Sequence, residues 1–265
     1  MRTVKRTYKA EYRPIADLIT YSPMPTRSLR MIDPFLFLNH HGPQRYQPGN
    51  NGLPFGPHPH RGMETVTFIL DGDIAHKDSG GNNSVIESGG VQWMTAGKGL
   101  THAEVSSEKF KEEGGPLEIL QLWVNLPAKL KMTEPRYKGL QKEEIPVASL
   151  DDGRVRAQVV SGKLEGTEGA FDTLTGINLA TLFFESQGVM NTQIPVDHNI
   201  LCYVIKGEIK INGEIVQSLN LAEFNNDDED VRIEALAEST VLFGHAQPFK
   251  EPVVAQGPFV MNTME

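Results

Sequence analysis

The chain has 265 residues, Lys+Arg 25 against Asp+Glu 34 for a formal charge of −9, and 39 % hydrophobic residues, enough for one large core or two moderate ones. That composition excludes a disordered tail, a collagen-like repeat and a coiled coil. No apolar run approaches the roughly 20 residues of a membrane-spanning helix, and the acidic balance excludes a general positive field for holding nucleic acid directly.

Along the chain, Met1 to Ala10 carries four cationic residues without an apolar run and does not read as a secretory signal. Period-two patterning predicts strands over Thr65–Leu70, Val91–Thr95, Leu117–Val124, Val155–Val160, Ile177–Phe184, Ile200–Ile205 and Ser239–Phe243. Helical periodicity is scarce, the one candidate being Pro127–Met132 with Pro127 in its first turn. Asn212-Gly213, between Ile209-Lys210-Ile211 and Glu214-Ile215-Val216, predicts a tight hairpin. The single Cys202 has no disulfide partner in the chain, which fits a reducing compartment. Many short strands and few helices indicate an all-β sandwich or barrel.

Laid on itself with an offset of 135 residues, the chain places Phe68-Ile69-Leu70-Asp71-Gly72-Asp73-Ile74 on Tyr203-Val204-Ile205-Lys206-Gly207-Glu208-Ile209. Two similar β domains are the simplest explanation. The polar stretch Lys138 to Gly153 marks the boundary, near residue 145, dividing the chain into 1–145 and 146–265.

The histidines carry the chemistry. Side chains at i and i+2 on a strand point to one face, so His58-Pro59-His60 aims two imidazoles one way, and His102-Ala103-Glu104 pairs an imidazole with a carboxylate. Imidazole and carboxylate suit divalent iron, manganese, nickel, copper or zinc, and no thiolate competes. Glu64 shares the parity of the first pair, so parity alone admits either carboxylate as a ligand. Pro59 cannot donate a ladder hydrogen bond, which predicts a strand start or edge. His40 and His41 face opposite ways if extended and are not expected to bind metal. His76 either lines the barrel or is solvated, the latter reading being preferred, and His198 and His245 read as structural. Phe55, Met94 and Leu100 are candidates for an apolar pocket wall, each weighed against a plain core role.

The runs Phe55-Gly56-Pro57-His58-Pro59-His60-Arg61-Gly62-Met63-Glu64-Thr65-Val66-Thr67 and Val91-Gln92-Trp93-Met94-Thr95-Ala96-Gly97-Lys98-Gly99-Leu100-Thr101-His102-Ala103-Glu104, with Asp33-Pro34-Phe35 and the segment from Glu251 to Thr263, resemble the pirins, a branch of the bicupins. The resemblance implies two jelly-roll cupin domains in tandem. It implies one Fe(II) in the N-terminal domain, held by His58, His60, His102 and Glu104, with Glu64 in the outer shell. Other divalent transition metals fit the same ligand set. Adding 135 to the ligand positions gives Gln193, Pro195, Ala237 and Ser239, so the second domain is expected to hold no metal. The implied activity is that of a quercetin 2,3-dioxygenase: ring cleavage of a flavonol by dioxygen with release of carbon monoxide, Glu104 serving as general base. The alternative is a non-catalytic iron-binding regulator acting through protein partners, as a transcription cofactor or a regulator of metabolic enzymes. The expected location is cytoplasmic, or nuclear in a eukaryote. The chain departs from the family's usual pattern at Leu38-Asn39-His40-His41-Gly42-Pro43, where a more acidic, aromatic stretch is usual near the pocket mouth.

Overall fold

The computed structural model describes residues 1–264. Regular structure is almost entirely β-strand. Among the described residues the only α-helix is Glu108–Glu113, whose first turn is capped by Ser107 Oγ accepting from the Phe110 amide. The helix expected at Pro127–Met132 is instead a 3-10 turn over Ala128–Leu130. Every predicted strand forms, within two residues at the N-terminal end and three at the C-terminal end, as at Met63–Asp71, Val91–Thr95 and Gly115–Asn125. The Asn212-Gly213 turn joins Glu208–Ile211 to Glu214–Gln217 with positive φ at both turn residues, +46° and +101°, the twist that a two-residue hairpin needs. Among the described residues no helix is long and apolar enough to cross a membrane.

The chain forms two compact units: one of Met1–Glu11, Thr26–Pro34 and Ile145–Pro248, the other of Tyr12–Pro25, Phe35–Glu144 and the chain from Phe249 onward. One junction does fall between Glu144 and Ile145, but the spans 1–145 and 146–265 need exchanging at their ends. Val4–Lys9 pairs antiparallel with Asn220–Phe224, satisfying a strand edge that would otherwise present unpaired amides and carbonyls. Nothing in local patterning reveals which edge a terminal strand will cover.

Each unit is a sandwich of a seven-stranded and a four-stranded antiparallel sheet. In the unit of residues 35–144 the large sheet runs Arg136–Leu140, Val91–Thr95, Met63–Asp71, Gly115–Asn125, Phe35–Tyr46, Thr20–Met24 and a two-residue edge strand. Its small sheet runs Phe55–His60, Leu100–Val105, Asp73–Asp78 and Asn83–Glu87. The other unit repeats the plan, its large sheet running Val4–Lys9, Asn220–Phe224, Asn199–Lys206, Ser239–Ala246, Asn178–Phe184, Val155–Ser161 and Val147–Leu150.

The repeat is not in one constant register. The hairpin match sets His76 against Ile211. Glu104 pairs with His76 and Ile233 with Ile211, so Ile233 takes the place of Glu104 and Val231 that of His102. Thr192 pairs with Val231 as His58 pairs with His102, which sets Thr192 and Ile194 in the places of His58 and His60. The constant offset overshoots the second motif by six residues, five of them lost in the hairpin before it: Asp73 pairs with Glu87 fourteen residues on, Glu208 with Gln217 only nine residues on. Ala237 and Ser239 are therefore not the counterparts. Ile194, Val231 and Ile233 pack instead with Met190, Ile209 and Phe243 in a continuous apolar core, each contributing about 1.5–3 kcal/mol by leaving water.

Arg2 anchors the first strand of this unit. Its side chain is fully buried; Nε donates to Asn225 O at 2.7 Å, Nη1 to Pro195 O at 3.2 Å and Nη2 to the His198 carbonyl. Arg2→Met should lower the unfolding free energy by about 3 kcal/mol in urea denaturation, since three part-buried carbonyls lose a charged donor. Arg2→Lys should recover less than half, because an ammonium cannot reproduce the planar fork. Equal stability for wild type and Arg2→Met would show that water replaces the guanidinium without loss.

Candidate metal centre

The Phe55–His60 strand is the edge of its four-stranded sheet, which answers the restriction set by Pro59. Pairing with Leu100–Val105 puts His58 opposite His102 and His60 opposite Leu100. A register shift between His102 and Glu104 then brings Glu104 against Phe55.

His58, His60 and His102 converge: the ring centroids lie 4.5 Å (His58–His102) and 5.0 Å (His58–His60 and His60–His102) apart, and one nitrogen from each falls within 4.8 Å of the others. The His58 ring contacts Gly56 O through Nδ1 at 2.7 Å, which directs the proton to Nδ1 and leaves Nε2 the lone pair. His60 and His102 are almost fully buried. Burial, reinforced by the neighbouring imidazoles, holds both pKa values down to about 3, so both rings are neutral in any physiological buffer. His60 Nδ1 and both nitrogens of His102 have no hydrogen-bond partner in the protein. Orphaned imidazole nitrogens gathered in one place fit a divalent cation, whose ligands must be deprotonated.

Glu104 stands beside this trio, with Oε2 4.0 Å from His102 Nε2. Gln92 Nε2 donates to Oε1, Thr67 Oγ1 lies 2.8 Å from the same oxygen, and Gln121 Nε2 donates to Oε2 at 3.2 Å. Gln92 is held in turn by the Tyr137 hydroxyl at 3.0 Å. Each partner comes from a different strand of the large sheet, so the carboxylate is steered from the facing wall.

Glu64 is not in the outer shell of this group. Arg61-Gly62 breaks the strand between His60 and Met63, so parity does not carry across. Along Met63–Asp71 Thr67 faces Glu104, and Glu64, three residues away, faces the opposite side of the sheet, where Oε1 accepts from Thr95 Oγ1 at 2.6 Å. Burial raises its pKa to about 7.

His76 is buried rather than solvated: Nε2 contacts Asp78 Oδ2 at 3.0 Å, its ring stacks on Tyr137 at 3.9 Å, and it lies 5.4 Å from the His102 ring. His198 and His245 contact each other through Nδ1 at 2.9 Å, consistent with structural roles. Met94 and Leu100 pack with Ala96 and Tyr137 away from the cavity, whereas Phe55 lines it.

That cavity, about 150 Å³, lies between the sheets. His58, His60, Glu104, Phe55 and Ile74 border it from the small sheet, and Leu53 from the chain just before it. The large sheet contributes three cross-strand pairs, Phe37–Trp123, Asn39–Gln121 and His41–Ile119. Phe37 and Trp123 stack at 4.5 Å. His40, on the other face, contacts Glu118 at 2.9 Å. Gln92, Gln121 and Asn39 escaped the sequence reading, since a polar residue inside a strand reads as an outward position; the signal available was their shared parity with inward apolar neighbours.

Residues 17–124 match the pirin family model, and residues 181–265 the pirin C-terminal cupin domain. A pirin-like protein of Caulobacter vibrioides is 38 % identical over 245 residues, covering 91 % of this chain and 85 % of its own. A crystal structure of quercetin 2,3-dioxygenase from Acinetobacter baumannii superposes with TM-score 0.93 at 32 % identity, covering 100 % of this chain and 93 % of its own. A bacterial pirin of Escherichia coli, solved in complex with nickel(II), shares the fold with TM-score 0.72 at 22 % identity, covering 92 % of this chain and 99 % of its own.

The buried histidines make the metal-free stability of this unit pH-dependent. His41, also held to about 3 by burial, His60 and His102 take up protons in the unfolded chain below about pH 6.5 but resist them in the fold. Their contribution is complete above pH 6.5 and declines as pH falls toward 3. Glu64 acts in the opposite sense between about 4.5 and 7, offsetting one of the three. Stability in EDTA should therefore fall by on the order of 2 kcal/mol per pH unit between pH 6 and 5. Urea midpoints unchanged between pH 7 and 5 would contradict it.

Proposed function

The chain belongs to the pirin family, and on that premise we propose that it is a metal-dependent dioxygenase opening the central ring of a flavonol, as a quercetin 2,3-dioxygenase does, with one Fe(II) in the unit of residues 35–144. The observation that carries this reading is the convergence of three imidazoles, the buried pair His60 and His102 neutral and with orphaned nitrogens, beside an aromatic-walled cavity that His58, His60 and Glu104 line. His58, His60 and His102 would hold the ion, with Glu104 as the fourth donor. When bound, the ion would supply Lewis-acid polarisation of a substrate oxygen and redox access to dioxygen.

The chain's own residues do the rest. Phe37 and Trp123 offer a planar face to an aromatic ring, and Leu53, Phe55, Ile74 and Ile119 exclude water. Holding the substrate still is itself worth several kcal/mol of barrier. Glu104 takes the proton of the flavonol 3-hydroxyl as general base; Gln92, Thr67 and Gln121 keep its carboxylate aimed at the cavity.

Elemental analysis should find about one iron per wild-type chain after anaerobic loading and well under a tenth of that in His58→Ala/His60→Ala. Full occupancy in the double variant would sink the ligand assignment.

With quercetin, the iron-loaded protein should consume dioxygen and release carbon monoxide in equal amounts. Glu104→Gln should keep part of the iron and lose about a hundredfold or more in turnover per iron, because an amide cannot accept the proton. Wild-type turnover in that variant would end the general-base role. A loaded wild type that consumes no dioxygen with any flavonol would favour the non-catalytic regulator.

A further inference from the structure

We propose that Asn39 and His41 form a hydrogen-bonding subsite for a phenolic hydroxyl on the substrate's exocyclic ring, on the sheet facing the three-histidine cluster, so that the cavity selects flavonols hydroxylated on that ring over those bare there. This deepens the flavonol reading and rests on it.

Both residues lie on the Phe35–Tyr46 strand and, two apart, share its inner face with Phe37. Their outward neighbour His40 is engaged elsewhere, with Glu118. Each inner side chain is held at one end by the adjoining Thr20–Met24 strand. Ser22 Oγ donates to Asn39 Oδ1 at 2.6 Å, which leaves the Nδ2 hydrogens for a molecule in the cavity. Thr20 Oγ1 sits 2.9 Å from His41 Nδ1 and 3.4 Å from Leu18 O. With the hydroxyl donating to that carbonyl, Nδ1 donates to Thr20 and Nε2 keeps its lone pair. Burial and the neighbouring His40 hold the ring neutral.

The subsite thus offers one donor, Asn39 Nδ2, and one acceptor, His41 Nε2. A hydroxyl satisfies both, its oxygen accepting from the amide and its proton going to the imidazole. A carbonyl meets only the donor, and a C–H meets neither. Phe37, Phe55 and Ile119 in the same cavity lining are apolar, so a bare ring packed against them strips water from Asn39 and His41 and returns nothing to either. A site built this way discriminates against the analogue lacking the polar group more strongly than an apolar pocket discriminates by size.

The test is equilibrium binding to iron-loaded protein kept anaerobic, read by quenching of tryptophan fluorescence. Galangin, kaempferol and quercetin carry no, one and two hydroxyls on the exocyclic ring. Wild type should bind the two hydroxylated flavonols about tenfold or more tightly than galangin. His41→Phe and, independently, Asn39→Leu should each collapse that ratio to within about twofold, and His41→Gln should restore part of it. A wild type without preference, or variants that lose affinity equally for all three flavonols, would overturn the subsite while leaving the proposed function standing. Failure of the wild type to bind any flavonol would overturn both.

Discussion

The antiparallel pairing of Phe55–His60 with Leu100–Val105 is the constraint on which the site depends. Two histidines spaced i, i+2 share a face wherever the strand lies, but only this register sets His58 across from His102 and so closes three rings around one point. A slip of one residue would turn His102 out and Thr101 in. The register is secured by the second neighbour of Leu100–Val105, the Asp73–Asp78 strand, which sets His102 against Asp78 and Glu104 against His76. His76, buried and stacked on Tyr137, fills the space behind His102 with a polar group that Asp78 satisfies. Such supporting contacts orient ligands as firmly as the strand does.

The two units share a sheet plan and differ in what they put inside. Around Glu104 the first encloses Thr67, Gln92 and Gln121, polar groups whose burial is offset only where their hydrogen bonds are made. At the places of His58, His60, His102 and Glu104 the second has Thr192, Ile194, Val231 and Ile233, the last three in a continuous apolar core. An apolar interior contributes stability without conditions; a polar one does so only while every partner is in place. One sandwich accordingly encloses a hydrogen-bonded polar cluster and the other an uninterrupted apolar core, even though the backbone would permit either arrangement in both.

The cavity divides its labour between sheets. The small sheet supplies the imidazoles and the carboxylate, while the large sheet supplies an aromatic stack, the amide that steers Glu104, and the polar pair Asn39–His41. Because these come from three cross-strand pairs, Phe37–Trp123, Asn39–Gln121 and His41–Ile119, a change at one is felt first by its partner. Under the proposed function, affinity for a metal and preference for a substrate could vary separately, since the groups assigned to each lie on different elements.

Read alone, the sequence was sufficient for the all-β class, the strands within three residues, the Asn212-Gly213 hairpin and the presence of a repeat, since each rests on local spacing or on the φ preferences of particular residues. Spacing also marked His58, His60 and the His102–Glu104 pair as candidates, because i, i+2 spacing on a strand is a local statement about faces, while the preference for Glu104 over Glu64 came from the resemblance to pirins. Only the tertiary structure decided that Glu64 faces away, since Arg61-Gly62 breaks the strand and parity does not survive a break. Only it showed that the N-terminal strand completes the sheet of the other unit, and that the repeat shifts register by the second motif, because edge pairing and loop shortening join residues far apart in sequence. The inward side of His41, Gln92 and Gln121 belongs to the same class: a polar residue on a strand faces the interior when another strand supplies its partner.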